Sequence, residues 1–184
     1  AVPFGDVSSE TSMSDALSAQ GPFLIDIGAK PIPHLFIGAF VGAAVGGAAG
    51  QIERTCERLA VNCVGVGLRG GVLIQYNVRP DRGINPWFGY GFGYEIARSS
   101  GTNGRTSIEN SLRGVELAHV LAGVDFRLQE YFGVGPFVDV ALGRYDFAES
   151  ETNEGGFIRQ VGGDIEGKAV HGWLTLGVRA VLLP

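Results

Sequence analysis

Residues 87–97 read WFGYGFGYEIA, and this stretch decides the fold class of the chain. One parity of the stretch carries its large apolar side chains, those of Phe88, Tyr90, Phe92, Tyr94 and Ile96. The other parity carries three glycines and Glu95. Because successive side chains of a strand point to opposite faces, the stretch predicts a β-strand with one apolar face and one small or charged face.

A similar pattern recurs along the chain and predicts seven further strands. They cover residues 1–7, 23–30, 35–45, 66–78, 119–127, 136–145 and 173–182. The predicted connections alternate between short (29–33, 79–85, 128–133) and long (8–21, 46–63, 98–112, 148–170). An even number of strands with short turns at one end and long loops at the other is typical of an antiparallel up-and-down transmembrane β-barrel. A tilted strand crosses a bilayer in about 9–11 residues, which most of these stretches reach.

Composition supports an all-β protein of one domain, residues 1–184. The chain has 30 glycines, one methionine and a net charge of −5. The glycines show no three-residue period, which excludes collagen. The negative charge argues against nucleic acid as a partner, since nucleic-acid-binding proteins normally carry a basic face. The chain begins at Ala1 without the features of a signal peptide, so we expect a mature or trimmed product.

The orientation of the strands decides what lies inside. An eight-stranded barrel has an interior just wide enough for side chains, and the glycine-rich parity fits that space better than the aromatic one. On this assignment lipid meets the apolar parity, including Phe88, Tyr90, Phe92 and Tyr94. The interior then holds four acids and four bases, which we predict to form an ion-pair network that fills the lumen in place of an open pore. These residues are Asp26, Lys30, Arg69, Glu95, Asp125, Arg127, Asp139 and Arg179.

The sequence resembles the small eight-stranded outer-membrane barrels of the OmpA-like type, and in character the barrel proteins of myxobacteria. Three segments carry the resemblance: residues 86–95 (PWFGYGFGYE), 135–139 (GPFVD) and 171–179 (HGWLTLGVR). Two features depart from the pattern. The chain ends in Leu183-Pro184 where such barrels usually end in an aromatic residue, and the first strand is short.

The resemblance implies an integral protein of the bacterial outer membrane with a structural or surface-interaction role. Outer-membrane lipids and lipopolysaccharide are the implied partners, together with an unidentified partner of the surface loops. Phosphates of lipopolysaccharide are one possible contact for Arg98, Arg105 and Arg113, because arginine binds phosphate through two donors; a solvated loop is the alternative. We expect a monomer without catalytic residues, cofactor or metal.

Cys56 and Cys63 lie in one long connection. Two cysteines without a nearby histidine cannot complete a tetrahedral zinc site. Surface and periplasmic compartments are oxidising, so we predict a disulfide between them.

Residues 35–50 allow a second interpretation. Gly38, Gly42, Gly46 and Gly50 repeat at the four-residue spacing of a transmembrane helix interface. A single helix would leave the other strands without a closed barrel. We therefore favour a strand followed by a glycine-rich loop.

Three other functions remain open from the sequence. A lipid-modifying enzyme would need a serine and an acid beside His34, His119 or His171, and no serine stands at a same-face position next to the latter two. A soluble lipocalin-like binder would line a ligand cavity with the apolar parity. A minor ion-conducting pore is the third alternative.

Overall fold

Strands dominate the fold, and the prediction of an all-β protein is confirmed. The computed structural model describes residues 1–9, 11–48, 50–58, 62–102 and 106–182. The strands are β1 (Val2–Ser8), β2 (Thr11–Ser12), β3 (Leu17–Ile32), β4 (Leu35–Ala48), β5 (Asn62–Asn77), β6 (Ile84–Thr102), β7 (Thr106–Gln129), β8 (Phe132–Glu154), β9 (Phe157–Asp164) and β10 (His171–Leu182). The helices are α1 (Met13–Ala16) and α2 (Gly50–Arg58).

All pairings in the sheet are antiparallel, and strands β3 to β8 pair in chain order. The complete order is β2-β1-β10-β8-β7-β6-β5-β4-β3, with β9 also paired to β8. This arrangement confirms the predicted antiparallel up-and-down topology. We call the end with the short connections β3–β4, β5–β6 and β7–β8 the turn end, and the opposite end the loop end.

At the two sides of this order, the residue before β1 approaches β3 without a ladder between the two strands. The ammonium group of Ala1 donates to the Gln20 carbonyl at 2.6 Å, and the Gln20 N–H donates to the Ala1 carbonyl at 2.9 Å. No ladder between β1 and β3 accompanies this pair among the described residues, so the sheet is not closed. β1 starts opposite Leu174, near the loop end of β10, while Leu182 lies opposite Phe132 at the turn end. An up-and-down barrel with an even number of strands and its short turns at one end predicts both chain ends at the turn end, and this prediction is wrong for the N-terminus.

The predicted long connections contain more strand than the sequence suggested. The prediction of a long connection at 98–112 is wrong, because Arg98 pairs with Ser111 in the β6–β7 ladder. The connection 148–170 is mostly the end of β8 and all of β9. β2, α1 and the start of β3 occupy 8–21, and α2 lies within 46–63. The sheet consequently has ten strands in place of eight.

A polar composition explains why these extensions carry no alternating apolar signal. β9 is exposed along its whole length, and its ladder with β8 begins at Phe147 and ends at Glu154. Gly155 and Gly156 join the two strands with φ angles of +59° and +96°. Two successive positive φ angles are the requirement of the tight turn that joins neighbouring strands, and glycine meets it without strain.

The structure also tests the strand predicted from residue 35 and the predicted disulfide. The glycine repeat from residue 35 lies in strand β4 as far as Ala48, which confirms the strand interpretation. Cys56 of α2 and Cys63 of β5 form the predicted disulfide. Neither helix of the described chain is long and apolar enough to cross a membrane.

The curled sheet has an apolar outer face and a mixed interior. Two buried apolar clusters lie inside: one toward the loop end (Val7, Met13, Leu17, Ala97, Ala141, Tyr145, Trp173) and one deeper (Phe40, Leu73, Trp87, Leu121). Met13 of α1 is fully buried, so this short helix covers the loop end of the interior. The remaining interior is polar and forms the candidate site.

Candidate functional site

The interior of the sheet buries ionisable side chains from several strands. Six acids and histidines are at most 5% exposed: Glu95, Glu116, His119, Asp125, Asp139 and His171. Isolated charges of this kind are costly, so buried charges are normally paired. They lie in three groups of contacts, at successive levels between the two ends. Among the described residues, both carboxylate oxygens of Glu116 and both imidazole nitrogens of His119 are buried without a hydrogen bond of good geometry.

The central cluster consists of Arg69, Glu116, His119 and Asp139. The Arg69 guanidinium donates to one carboxylate oxygen of Asp139. The other oxygen lies 3.2 Å from His119 Nε2, and His119 Nδ1 lies 2.6 Å from Glu116 Oε1. With His119 protonated, the cluster carries two positive and two negative charges and is neutral as a whole. The Phe40 ring and the imidazole of His119 pack edge to face, with 4.4 Å between the ring centres.

The turn-side cluster consists of Gln75, Trp87, Asp125 and Arg179. Arg179 donates from Nε and Nη2 to the two carboxylate oxygens of Asp125, at 2.8 and 2.6 Å. Its Nη1 donates to Gln75 at 2.8 Å, and its guanidinium carbon lies 3.4 Å from the centre of the Trp87 ring. The Trp87 indole also donates to Asp125 at 3.1 Å. This two-donor geometry is the strong form of an arginine–carboxylate pair.

The loop-side pair joins His171 and Glu95, which hydrogen bond to each other. The Tyr145 ring stacks on the imidazole, with 4.0 Å between the ring centres. A side chain at Gly143 would place its Cβ 2.7 Å from Glu95 Oε1 and 3.0 Å from His171 Nε2. Glycine is therefore needed at this position because the pair fills the space.

Three of the eight residues predicted for the interior network lie outside these clusters. Asp26 and Lys30 of β3 have no hydrogen bond or ion pair among the described residues, and Asp26 is exposed beside the gap in the sheet. Arg127 is exposed at the turn end, where it donates to the Pro80 carbonyl at 2.7 Å. The structure brings the other five into the clusters: Arg69 and Asp139, Asp125 and Arg179, and Glu95.

Sequence reasoning missed Glu116, His119 and His171. His119 has the same parity as the interior residue Asp125 on β7, and His171 has the same parity as Trp173 on β10. The alternation along these strands could therefore have placed both histidines in the interior. Glu116 has the opposite parity from His119 on the same strand. A β-bulge between them shifts the β6–β7 register from Gly91↔His119 to Gly93↔Glu116 and turns both side chains inward.

Little free space remains around the central cluster. A cavity of 30 Å³ lies above it, with Gln20, Arg69, Glu95 and Tyr145 among its walls. That volume holds about one or two waters. Larger spaces lie toward the turn end: a cavity of 1090 Å³ along the gap between β3 and β10, and one of 310 Å³ at the short turns.

The four aromatic residues predicted to face lipid lie on the outer face of β6. Phe88, Tyr90, Phe92 and Tyr94 are between 48% and 59% exposed. They belong to a larger set of exposed apolar side chains, which we call the apolar band. The band consists of Phe23, Ile25, Ile27, Ile37, Val41, Val45, Val64, Leu68, Val72, Ile74, Tyr76, Phe88, Tyr90, Phe92, Tyr94, Val120, Phe126, Leu174, Leu176, Val178 and Leu182.

Chemically, the interior offers charge pairing and tight packing. The contacts described for the two buried histidines are with carboxylates and aromatic rings, the arrangement of a structural network. Within the described ranges, no group of three or more metal-ligating side chains could hold a metal ion. Arg98 and Arg113, considered above for phosphate, lie 4.0 Å from Glu109 and 3.4 Å from Glu149. Arg105 lies outside the described residues.

Comparison of the chain with protein-family models, curated proteins and solved structures found no match.

Proposed function

We propose that the chain is an eight-stranded transmembrane β-barrel of a bacterial outer membrane. Its role is structural or one of surface interaction, with a lumen filled by charged side chains in place of an open pore. β1, β3, β4, β5, β6, β7, β8 and β10 are its eight strands. The observation that carries this proposal is the inversion of polarity, with an apolar outer face around a charged interior.

The apolar band is unsuited to contact with water. Burying one such side chain is worth about 1.5–3 kcal/mol, and the band leaves large members half exposed or more on four strands, β3, β4, β6 and β10. Exposed patches of this extent mark surfaces that contact a membrane or a protein. The band continues round the sheet from β3 to β7 and again on β10, as contact with a bilayer on all sides requires.

The charged and aromatic side chains across the middle of the interior favour a structural role over conduction. Arg69, Asp139 and His119 lie across the middle of the lumen, with Phe40 packed against them. A soluble lipocalin-like binder is less well supported, because its apolar residues would line a cavity and here they lie outside. A lipid-modifying enzyme lacks support from the contacts described for the buried histidines.

The surface-interaction part of the proposal rests on the loop end. The β6–β7 and β8–β9 hairpins and the disulfide-linked α2 extend the chain there beyond the apolar band. β9 carries Phe157 and Ile158 at its tip, 86% and 65% exposed. Such an apolar tip is suited to contact a partner at the cell surface, while lipids contact the band below.

A pair of matched substitutions tests whether the apolar band lies in a membrane. Phe92 lies in the apolar band and Phe157 at the hairpin tip, and both are exposed. In a bilayer we expect Phe92→Arg to lower the free energy of unfolding in lipid vesicles by about 2–4 kcal/mol, and Phe157→Arg to change it little. The readout is the urea dependence of the faster-running unboiled band on SDS gels. Equal, small effects of both substitutions, in a chain that stays monodisperse without detergent, would reject the membrane and favour the soluble binder.

A further inference from the structure

The strand β9 has one edge without a partner, which we call the free edge. Among the described residues, β9 pairs with β8 alone, and its whole length is exposed. Just past the ladder, the Ile165 N–H donates to the Asp146 carbonyl at 3.0 Å. Bonded and outward-pointing residues alternate along each strand of an antiparallel pair, so the odd-numbered residues of β9 bond to β8. The backbone groups of the free edge therefore belong to Ile158, Gln160, Gly162 and Asp164.

The usual means of protecting a sheet edge are absent from β9. Natural proteins protect exposed edges with proline, with bulges or with very short strands. β9 contains no proline, and its ladder with β8 has no shift in register. Neither Gly162 nor Gly163 has a positive φ angle, and a Cβ at Gly163 would meet nothing within 4 Å. Glycine within a strand often marks a place where another backbone approaches closely, so this edge is suited to pair with a further strand.

We propose that the free edge of β9 binds an extended segment of another protein by strand addition. The bound segment is antiparallel to β9 and carries basic side chains opposite Gly162 and Asp164. Strand addition is a recurring mode of peptide recognition, in which backbone hydrogen bonds supply affinity and alternate side chains supply specificity. This inference rests on the surface-interaction part of the proposed function and names the site and the chemistry of the partner.

The charge of the β8–β9 hairpin determines that chemistry. Residues 147–164 carry four acids and one base. Glu149 lies opposite Gly162 on one face of the hairpin, and Glu151 follows on that same face. Glu109 of β7 lies directly opposite Glu151, and like charges in this position repel each other. In the part of the chain that the structure describes, Glu151 and Asp164 form no ion pair. A basic side chain on this face would supply the missing positive charge.

Gly162 leaves room for such a side chain. A Cβ at this position would lie 3.5 Å from the Cβ and Cγ of Glu149, so the carboxylate stem of Glu149 borders the open space. Arg113 already lies 3.4 Å from Glu149 on its other side. A lysine or arginine opposite Gly162 can extend across the glycine toward Glu149 and Glu151. A second basic residue, opposite Asp164, pairs with that carboxylate directly.

A second copy of this chain is a poor partner by the same reasoning. Its own β9 would bring the same excess of acids to the edge, and the two hairpins would repel each other. The opposite face of β9 carries Phe157 and Val161 on either side of Arg159, and the two apolar side chains are exposed. We therefore expect the partner segment to alternate, with basic residues on one face and mainly apolar residues on the other.

The probe is the peptide Lys-Val-Arg-Val-Thr-Glu-Val-Tyr. Antiparallel to β9, it places lysine opposite Asp164, arginine opposite Gly162 and tyrosine opposite Phe157. Two N-methylated forms are matched controls: methyl groups on its third and fifth residues block N–H groups that face β9, and those on its fourth and sixth residues leave that side free. A further control replaces its lysine and arginine with glutamate. Binding to the folded 184-residue chain in micelles is measured by fluorescence anisotropy and by amide hydrogen exchange.

We expect the saturating probe to slow exchange of the free-edge amides of Ile158, Gln160, Gly162 and Asp164 by about tenfold or more. The amides of β9 that face β8 should change less than about threefold, because they are already in a ladder. The form methylated on its fourth and sixth residues should bind like the probe. The other methylated form and the glutamate form should each bind at least about tenfold more weakly, since they lack the backbone donors or the positive charges.

A matched pair of variants tests the edge from the side of the chain. Gln160→Pro removes an N–H that faces the free edge, a position where an edge strand tolerates proline. Gln160→Ala keeps that N–H and removes the same side-chain hydrogen bond to Glu149. We expect the proline variant to bind the probe at least about tenfold more weakly and the alanine variant to bind it unchanged. Slow exchange of the Val161 amide in the proline variant shows that the hairpin is still formed.

Three results would overturn the proposal. One is the absence of binding up to about 1 mM probe, a concentration that detects binding worth only about 4 kcal/mol. Another is equal binding of the two methylated forms or of the two Gln160 variants. The third is protection of the free edge that rises with chain concentration without the probe, which would place a second copy there. None of these results bears on the effect of Phe92→Arg in vesicles, so a failure of this site is distinguished from a failure of the membrane proposal.

Discussion

Charge pairs in the interior of the sheet differ from those on the loop-end hairpins. In the interior, Asp139 is fully buried in its pair with Arg69, and Asp125 and Arg179 are 6% and 16% exposed. On the β6–β7 hairpin, Arg98 and Glu109 are both more than half exposed and lie 4.0 Å apart. Both kinds of pair join an arginine to a carboxylate, but they differ in burial and in separation.

The comparison shows that strand parity and depth decide how much a charge pair contributes to the free energy of unfolding. An interior charge has lost its hydration, so the loss of its partner leaves a cost of several kcal/mol. A hairpin charge is solvated in either state, and an exposed pair is typically worth less than 1 kcal/mol. The interior pairs therefore tie together strands that are not neighbours in the sheet, such as β5 with β8 and β7 with β10, and the hairpin pairs leave the extensions free to vary in sequence.

The largest effect is expected at the centre of the interior. Asp139→Asn keeps the shape of the side chain and removes the charge that compensates Arg69. We expect the free energy of unfolding, from urea titration of the refolded protein, to fall by about 3–5 kcal/mol. The matched control Glu109→Gln on the hairpin should change it by less than about 0.5 kcal/mol. Similar values for the two variants would remove the distinction between the regions.

An intermediate loss of stability is expected where the interior borders the cavity between β3 and β10. Arg179→Ala removes three hydrogen bonds and the contact with the Trp87 ring. It leaves Asp125 without its cation, but water can reach this level from the turn end through the cavity between β3 and β10, so we expect a loss of about 2–3 kcal/mol in the same titration. Arg179→Lys keeps the charge without the two-donor geometry and should lie between the alanine variant and the native chain. If Arg179→Ala lost more free energy of unfolding than Asp139→Asn, the result would contradict the idea that deeper charges contribute more.

Much of this contrast could be predicted from the alternation of residues along the strands. The aromatic and glycine parities of residues 87–97 separate in the structure into an exposed face and an interior face of β6. The same alternation places Arg69, Asp139 and Arg179 on interior faces, although the strands that hold them are far apart in sequence. Alternation alone could not show which charge meets which, because the pairs depend on the order and stagger of strands across the interior.

Other features left no local signal. The bulge between Glu116 and His119 shifts register without a marker residue. The β6–β7 and β8–β9 extensions are mostly polar, and the apolar residues Phe157, Ile158 and Val161 of β9 are all exposed. Backbone pairing rather than apolar burial therefore keeps the extensions as strands.

The smallest effect is expected at an exposed pair, where titration is more sensitive than unfolding. Lys168 Nζ and Arg144 Nε lie 3.1 and 3.2 Å from Asp146 Oδ1, at the loop end beyond the apolar band. The hydrogen bond from Lys168, together with the charges of Lys168 and Arg144, lowers the pKa of Asp146 from its ordinary value of 3.8. A lowered pKa in the folded state stabilises the fold above the ordinary value, and this contribution is lost as the pH falls through the lowered one.

Lys168→Ala should therefore move the pKa of Asp146 back toward its ordinary value, while Lys168→Arg should leave it lowered. A carboxyl NMR titration between about pH 2 and 6 reads the pKa directly. Because the pair is solvated, the free energy of unfolding at neutral pH should stay the same for both variants within error. An unmoved pKa in Lys168→Ala would assign the shift to Arg144 alone. A clear loss of stability at neutral pH would mean that an exposed charge pair on the extensions can matter as much as a buried one, which would contradict the comparison itself.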